Sequence, residues 1–170
     1  NSDLGNYKVD VAKRKIKSIN KKTKVKSYKI KVDKNNIERL INNFNIICDG
    51  TDNFKTRLLI NDFSLKQKKI LISAAVSGFD GQVFKFNFSK KTPCYRCFMP
   101  EVPPGEINCE TEGVTPTITG IIGTLQANEV LNSVLGFKPI MEKKMIVFNS
   151  IKMNFRKVNL SINKNCKNRC

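Results

Sequence analysis

The chain has 170 residues, of which 40% are hydrophobic, and a formal net charge of +17 at neutral pH. That length suffices for one domain with a buried core, and the longest apolar runs are too short and too interrupted by Ser, Thr or Gly to span a bilayer. The first residues lack the apolar segment of a secretory signal, so we expect a cytoplasmic protein without a membrane partner.

The positive charge comes mostly from Lys residues that are spread along the whole chain. They are dense only in residues 13–34, where they alternate with apolar residues and no aromatic stacking platform interleaves with them. We therefore interpret the charge as a solvent-facing feature and do not expect nucleic acid as a partner.

The first half of the chain alternates predicted helices and strands. Helical spacing of apolar residues predicts three helices, at residues 8–19, 34–42 and 53–66. Loose alternation of apolar and polar residues predicts an edge or half-buried strand at residues 24–32. Continuous apolar runs predict strands at residues 44–49 and 70–76, and the first of these two is expected to be buried on both faces. This order indicates a Rossmann-like α/β fold with a doubly wound, mostly parallel sheet.

The pattern changes after Gly78. Strict alternation predicts a strand at residues 81–88 that adds antiparallel to the preceding one, because only a short turn separates them. Residues 90–115 are rich in Pro and are predicted as a long irregular crossover loop, a kind of segment that is often functional. A helix is then predicted from Thr115 and Pro116 to about Leu135. Two final strands follow at residues 145–148 and 153–160, and we expect a single domain over residues 1–170.

Four cysteines form two close pairs. Cys94 and Cys97 make a C-x2-C pair, and Cys166 and Cys170 make a second pair near the C-terminal end. Two such pairs brought together supply the four ligands of a tetrahedral structural zinc site. Two disulfides or four unrelated thiols are the alternatives, but a bridge within C-x2-C is strained and nothing indicates a secretory context. The spacing therefore favours zinc.

The turn after the predicted strand at residues 44–49 carries two carboxylates, Asp49 and Asp52. Ligands of doubly wound sheets bind beyond the carboxyl ends of the strands, where these groups could hold Mg²⁺ and orient the phosphates of a nucleotide. The alternative is that Asp52 or Thr51 caps the following helix. Composition alone leaves both interpretations open. Cys48, within the strand, is interpreted as a small buried apolar residue.

Five motifs occur in order along the chain: GTDNFKTRLLIN (50–61), SAAVSGFDGQV (73–83), CYRCFMPE (94–101), NCETEGVTP (108–116) and GIIGTLQANEVL (120–131). With the terminal cysteine pair, they resemble the MoeB/ThiF/HesA family, the prokaryotic relatives of ubiquitin-activating enzymes. The resemblance implies an ATP-dependent adenylyltransferase that activates the C-terminal glycine carboxylate of a small ubiquitin-like sulfur carrier, in molybdopterin, thiamine or tRNA-thiolation metabolism. It also implies ATP, Mg²⁺ and structural Zn²⁺ as cofactors and a homodimer as the intact protein.

The resemblance suggests roles for individual residues. Lys8 would contact the ATP phosphates, and Asp52 would lie at Mg-ATP, next to Asp49 in the nucleotide-binding turn. The following helix carries the rest of that motif, in Asn53, Arg57 and Asn61. For these three residues, a packing role and contact with the nucleotide both remain open.

Cys109 lies in the irregular loop, apart from both cysteine pairs. In sulfur-transferring members of the family, a cysteine in the matching place forms an acyl-disulfide or thioester with the carrier. The helix N-terminus near Pro116 would favour a thiolate there, whereas the flanking Glu106, Glu110 and Glu112 would raise its pKa. A catalytic role and the absence of one both remain open for Cys109.

Two features depart from the family pattern. A family member would begin with a further strand, a G-x-G-x-x-G turn and an Arg-bearing segment, so we expect an N-terminally incomplete domain that could be inactive alone. The terminal pair is C-x3-C, with Arg169 where the second thiol is expected and Cys170 one position later. The alternative function is a non-catalytic, zinc-stapled remnant or subunit that binds a carrier or partner protein.

Overall fold

The structure is a computed structural model that describes residues 3–102, 113–137 and 141–168. The chain forms two compact units, Asn1–Val32 and Asp33–Cys170. The expectation of a single domain stays a prediction.

The N-terminal unit contains one helix, α1 (Lys8–Ile19), at the predicted position. Lys29 Nζ lies 2.7 Å from Asp10 Oδ2 and 4.7 Å from the centre of the Tyr7 ring, so the segment after the helix folds back on its first turn. The strand predicted at residues 24–32 is wrong, because that segment has no strand in the structure. Alternation of Lys with apolar residues is insufficient where no neighbouring strand supplies cross-strand pairs.

The larger unit has four helices and five strands in its described residues. The helices are α2 (Ile37–Ile41), α3 (Phe54–Lys66), α4 (Tyr95–Phe98) and α5 (Pro116–Val134). The strands are β1 (Ile46–Asp49), β2 (Ile70–Ser77), β3 (Asp80–Asn87), β4 (Lys144–Asn149) and β5 (Asn154–Asn159). These elements occur where the sequence predicts them, except that α4 lies in the predicted irregular loop. Across the described residues, no helix combines the length and apolar composition needed to cross a bilayer.

The five strands form one mixed sheet in the order β1-β2-β3-β4-β5. β1 and β2 are parallel and are connected through α3, whereas the other three neighbouring pairs are antiparallel. The predicted antiparallel addition after Gly78 is confirmed. The expectation of a mostly parallel sheet is wrong for the described strands. For two of the three antiparallel pairs the reason is that the turns after β2 and β4 are too short for the crossover that parallel pairing needs.

β1 is an edge strand in the described sheet. The expectation that it is buried on both faces is wrong: Ile46 and Ile47 are half-buried, Cys48 is exposed and only Asp49 is buried. A strand with a neighbour on one side leaves more of its side-chain surface uncovered. Cys48 is therefore not the buried apolar residue that the sequence pattern indicated.

The core lies on both faces of β3. Helix α5 packs on one face of β2 and β3, and the cluster there consists of Ile72, Ala74, Val83, Ile118, Ile122, Met141 and Phe148. Alternate residues of β3 point to the other face, where the Phe84 ring lies 5.9 Å from Phe86 and 5.0 Å from Tyr95 of α4. Strand β3 is thus covered on both sides.

Gly81 on β3 marks a close approach of α5 to the sheet. A Cβ at this position would overlap Cγ1 and Cδ1 of the buried Ile122. We expect Gly81→Ala to lower the free energy of unfolding by about 1–3 kcal/mol through overpacking, measured by urea denaturation. Gly123→Ala on α5 is the matched control, because a Cβ there meets nothing within 4 Å and Ala is the better helix former. Unchanged stability of the Gly81 variant would contradict this packing.

Candidate functional site

A buried carboxylate terminates β1. Asp49 is 1% exposed, and its Oδ1 accepts hydrogen bonds from the backbone N of Thr51 at 2.9 Å and from Thr51 Oγ1 at 2.7 Å. Its Oδ2 accepts a bond of 2.7 Å from Ser73 Oγ on β2 and lies 3.8 Å from Arg57 Nε on α3. Donors from three segments therefore compensate the buried charge.

The turn that follows presents a second carboxylate to solvent. Asp52 is exposed, and its Oδ1 accepts a hydrogen bond of 3.1 Å from Asn53 Nδ2. Asn53 Oδ1 in turn accepts from the backbone N of Thr56 at 2.8 Å and caps α3. The cap of α3 is thus Asn53 rather than Asp52 or Thr51. This leaves the Asp52 carboxylate accessible to a ligand.

Arg57 and Asn61 point from α3 into the interior. Arg57 is 5% exposed; its Nη2 donates to the Thr51 carbonyl, and its guanidinium lies 5.7 Å from the centre of the Tyr95 ring. Asn61 is fully buried, and its Oδ1 accepts a bond of 2.8 Å from the backbone N of Tyr95. Both side chains join α3 to neighbouring segments, and their contact with a nucleotide stays a prediction.

Gln126 of α5 joins the two parallel strands from the other side. Its Nε2 donates to the carbonyl oxygens of Asp49 and Ile72, each at 2.9 Å. Neither Gln126 nor Ser73 is among the residues predicted for the site, although a Gln on the apolar face of a predicted helix was a usable signal. Together, Gln126 and Ser73 fix the end of β1 against β2.

Three cysteines form the second cluster. The Sγ atoms of Cys94, Cys97 and Cys166 all lie within 4.8 Å of one another, and those of Cys94 and Cys166 are 3.6 Å apart. That separation exceeds the disulfide bond length of about 2.05 Å and is near the ~3.8 Å between sulfurs that bind one Zn²⁺ tetrahedrally at ~2.3 Å. The predicted convergence of the two pairs is confirmed for these three residues, and the cluster could hold a metal ion.

The thiols of the cluster are poorly solvated. Burial, and after it the neighbouring Cys94, raise the pKa of the Cys166 thiol above its ordinary value, although a hydrogen bond from the Asn168 backbone opposes the rise. Cys94 and Cys166 are both buried. A divalent cation would stabilise the thiolates that this environment otherwise disfavours.

Polar residues next to the cluster join three segments of the chain. Arg96 of α4 donates from Nε and Nη2 to the two oxygens of Asp62 on α3, at 2.8 and 2.7 Å. Asn168 Nδ2 donates to Asp62 Oδ1 at 2.8 Å and contacts Cys94 Sγ at 3.6 Å. Burial favours a higher pKa of the Asp62 carboxyl, but hydrogen bonds from Arg96, Asn168 and Asn61 outweigh it and leave that pKa below its usual value.

Three further residues belong to the predicted site. Lys8 is the exposed first residue of α1 in the N-terminal unit. Cys109 and Cys170 lie outside the described residues. The structure therefore brings together Asp49, Asp52, Asn53 and Arg57 at one position and three of the four predicted metal ligands at another.

Sequence comparison places the chain among known proteins. The ThiF family model matches residues 1–169. A probable molybdopterin-synthase adenylyltransferase of Pyropia yezoensis is 39% identical over 159 residues, which are 92% of this chain and 42% of that protein. A sulfur carrier protein adenylyltransferase of Thermus thermophilus is 30% identical over 170 residues, with 96% of this chain and 63% of that protein covered. The chain thus spans less than two thirds of the length of either relative.

Comparison of structures gives the same fold. The E. coli MccB structure with ATP has a TM-score of 0.82 at 16% identity and covers 99% of this chain and 52% of that one. The structure of the microcin C7 biosynthetic enzyme MccB with N-formylated MccA has a TM-score of 0.83 at 15% identity, with coverages of 99% and 54%. At these identities, the likeness concerns the fold.

Removing the hydrogen bond from Ser73 tests how strongly the buried Asp49 carboxylate depends on its donors. We expect Ser73→Ala to lower the free energy of unfolding by about 1–3 kcal/mol, because a buried carboxylate oxygen loses its nearest donor. Urea denaturation measures the change. Ser18→Ala on exposed α1, whose hydroxyl donates to the Lys15 carbonyl, is the control and should stay within about 0.5 kcal/mol. Equal effects of the two substitutions would show that Asp49 does not depend on Ser73.

Proposed function

Because the chain belongs to the ThiF family, we propose that it forms part of an ATP-dependent adenylyltransferase. The substrate is the C-terminal glycine carboxylate of a small ubiquitin-like sulfur carrier. A relative named as a sulfur carrier protein adenylyltransferase supports this class of substrate. The observation that carries the proposal is the exposed Asp52, on a turn fixed by Asp49, at the carboxyl end of a parallel strand where α/β sheets bind ligands.

The proposed reaction needs no protein base. An oxygen of the carrier carboxylate attacks the α-phosphorus of ATP, the bond from that phosphorus to the bridging oxygen of the β-phosphate breaks, and pyrophosphate leaves. No proton is transferred, so catalysis rests on positioning and charge neutralisation, which agrees with a chain that contains no His. A Mg²⁺ ion bound with the nucleotide supplies positive charge at the phosphates.

The residues of the site divide into two roles. We assign Asp52 as the catalytic residue that holds Mg-ATP, since its carboxylate is exposed. Asp49 is assigned as a positioning residue, because donors from Thr51 and Ser73 already occupy its oxygens. Lys8 contacts the ATP phosphates in this proposal, which for that residue rests on the family resemblance.

The cysteines also have separate roles. Cys94, Cys97, Cys166 and Cys170 hold a structural zinc ion, supported by the sulfur separations in the described cluster. Cys109 is the proposed covalent link to the carrier during sulfur transfer, by resemblance alone. A homodimer for the intact protein is proposed on the same basis.

Pyrophosphate exchange tests the adenylation step. With the purified chain, Mg²⁺ and a sulfur carrier that ends in a free glycine carboxylate, we expect ATP–pyrophosphate exchange that depends on the carrier. Asp52→Asn should reduce the exchange rate by about 100-fold or more, since the carboxylate that would hold Mg²⁺ at the phosphates is lost. Asp80→Asn is the matched control, because that exposed Asp on β3 hydrogen bonds to Asn149 away from the turn.

Two outcomes would contradict this assignment. Full exchange activity of the Asp52 variant would remove Asp52 from catalysis. Absence of exchange, even with an added N-terminal segment that carries a strand and a G-x-G-x-x-G turn, would favour the non-catalytic alternative, a zinc-stapled carrier-binding subunit.

Metal analysis tests the zinc proposal. We expect about one zinc per purified chain, loss of that zinc in Cys94→Ser and Cys166→Ser, and a lower Tm after chelation, because a structural zinc contributes folding free energy. Cys48→Ser is the control, since Cys48 is exposed on β1 outside the cluster. A purified chain without zinc and with reactive thiols at all four predicted ligand positions would show that the structural zinc site is absent.

A further inference from the structure

A cavity outside both sites is lined by hydrogen-bond donors. It has a volume of about 150 Å³ and lies where β2 begins and β3 ends, at Ile70 and Asn87. The Asp49 site instead adjoins Ser73, further along β2. Neither Asp52 nor the cysteine cluster lines this space, which we name the Lys85 cavity.

A buried ammonium group lies in the cavity wall. Lys85 of β3 is 7% exposed, and its Nζ donates to Glu129 Oε2 of α5 at 3.2 Å. The other oxygen of Glu129 accepts from Asn132 Nδ2 at 3.3 Å. An ammonium has three donors, and within the described residues only Glu129 accepts from Lys85. Two of its N–H donors therefore remain available to a further acceptor, and a buried donor is stabilised by gaining one.

A second hydrogen-bond donor lines the same space. Thr92 is 6% exposed as a residue, and no hydrogen bond of its hydroxyl is found within the described parts of the chain. The hydroxyl oxygen keeps some accessible surface, so an occupant of the cavity can reach it. Thr92 and Lys85 come from different segments, and both can donate to one occupant.

The charge and size of the cavity define that occupant. Lys85, Lys90 and Lys143 line it together with Glu142, whose Oε1 lies 3.9 Å from Lys90 Nζ, and Glu129 lies behind Lys85. These five groups give a net charge of +1. The volume equals roughly five water molecules at about 30 Å³ each. Pockets for nucleotide-sized ligands measure about 300–1,000 Å³. The cavity therefore suits a small anion.

We propose that the Lys85 cavity binds a small tetrahedral oxyanion of the size of phosphate or sulfate. The Lys85 ammonium and the Thr92 hydroxyl donate to its oxygens, and Lys90 and Lys143 add positive charge around it. Glu129 orients Lys85 and balances part of its charge. The site is independent of adenylation, so a chain without exchange activity binds the anion as well.

Titration of the ¹⁵N-labelled chain with inorganic phosphate tests the proposal. At constant ionic strength, set with chloride, we expect saturable amide shifts at Lys85, Thr92 and Ser133 and none at Gly50. Non-saturating shifts, or equal shifts when chloride replaces phosphate, would each overturn the proposal.

Thr92→Val gives the most specific variant. It removes the hydroxyl at nearly constant volume, so phosphate should bind about tenfold more weakly while thermal stability is retained. Thr117→Val, at an exposed position of α5, is the matched control and should bind as the original chain does. The double variant Lys85→Met/Glu129→Gln removes the ammonium without leaving a buried unpaired carboxylate and should abolish saturable binding. If the double variant fails to fold, the Thr92→Val variant decides whether the site exists. Undiminished phosphate binding by Thr92→Val would refute the site.

Discussion

Asp49 carries a negative charge into the interior at the end of β1, and the surrounding architecture supplies the groups that solvate it. Thr51 donates from the same turn, Ser73 from β2, and Arg57 approaches from α3. An isolated buried carboxylate would cost several kcal/mol, so the three segments that surround it are constrained to meet at this point. The same contacts therefore fix the conformation of the turn that carries Asp52.

The constraint gives two nearby carboxylates different roles. Asp49 is saturated with donors and organises the turn, whereas Asp52 keeps an exposed carboxylate next to the capped start of α3. Gln126 holds the same strand end from the α5 side through two carbonyl oxygens. A site that must place charge beside a phosphate benefits from such rigidity, because electrostatic stabilisation depends on groups that are already oriented.

Sequence patterns predicted the features that depend on local periodicity or on paired spacing. The helices α1, α3 and α5, the hairpin of β2 and β3 and the convergence of Cys94, Cys97 and Cys166 follow from such signals. The exposure of Cys48 was not predictable, because an apolar run does not reveal how many neighbours a strand has. The strand expected at residues 24–32 failed for a related reason, since pairing partners are not encoded in one segment. The role of Asp62 also escaped, as its partners Arg96 and Asn168 lie far away in sequence.

Helix α5 links the Asp49 site with the Lys85 cavity. Gln126 binds the carbonyl of Asp49, and Glu129, three residues later on the same helix face, binds Lys85. A buried ion pair adds little stability over apolar replacements of similar volume, so the presence of Lys85 and Glu129 beside the apolar cluster under α5 agrees with the proposed anion site. The same helix face meets Gly81 through Ile122, which fixes its distance from the sheet. A displacement of α5 along its axis would therefore disturb the Asp49 turn and the Lys85 cavity together, although the two bind different ligands in our proposals.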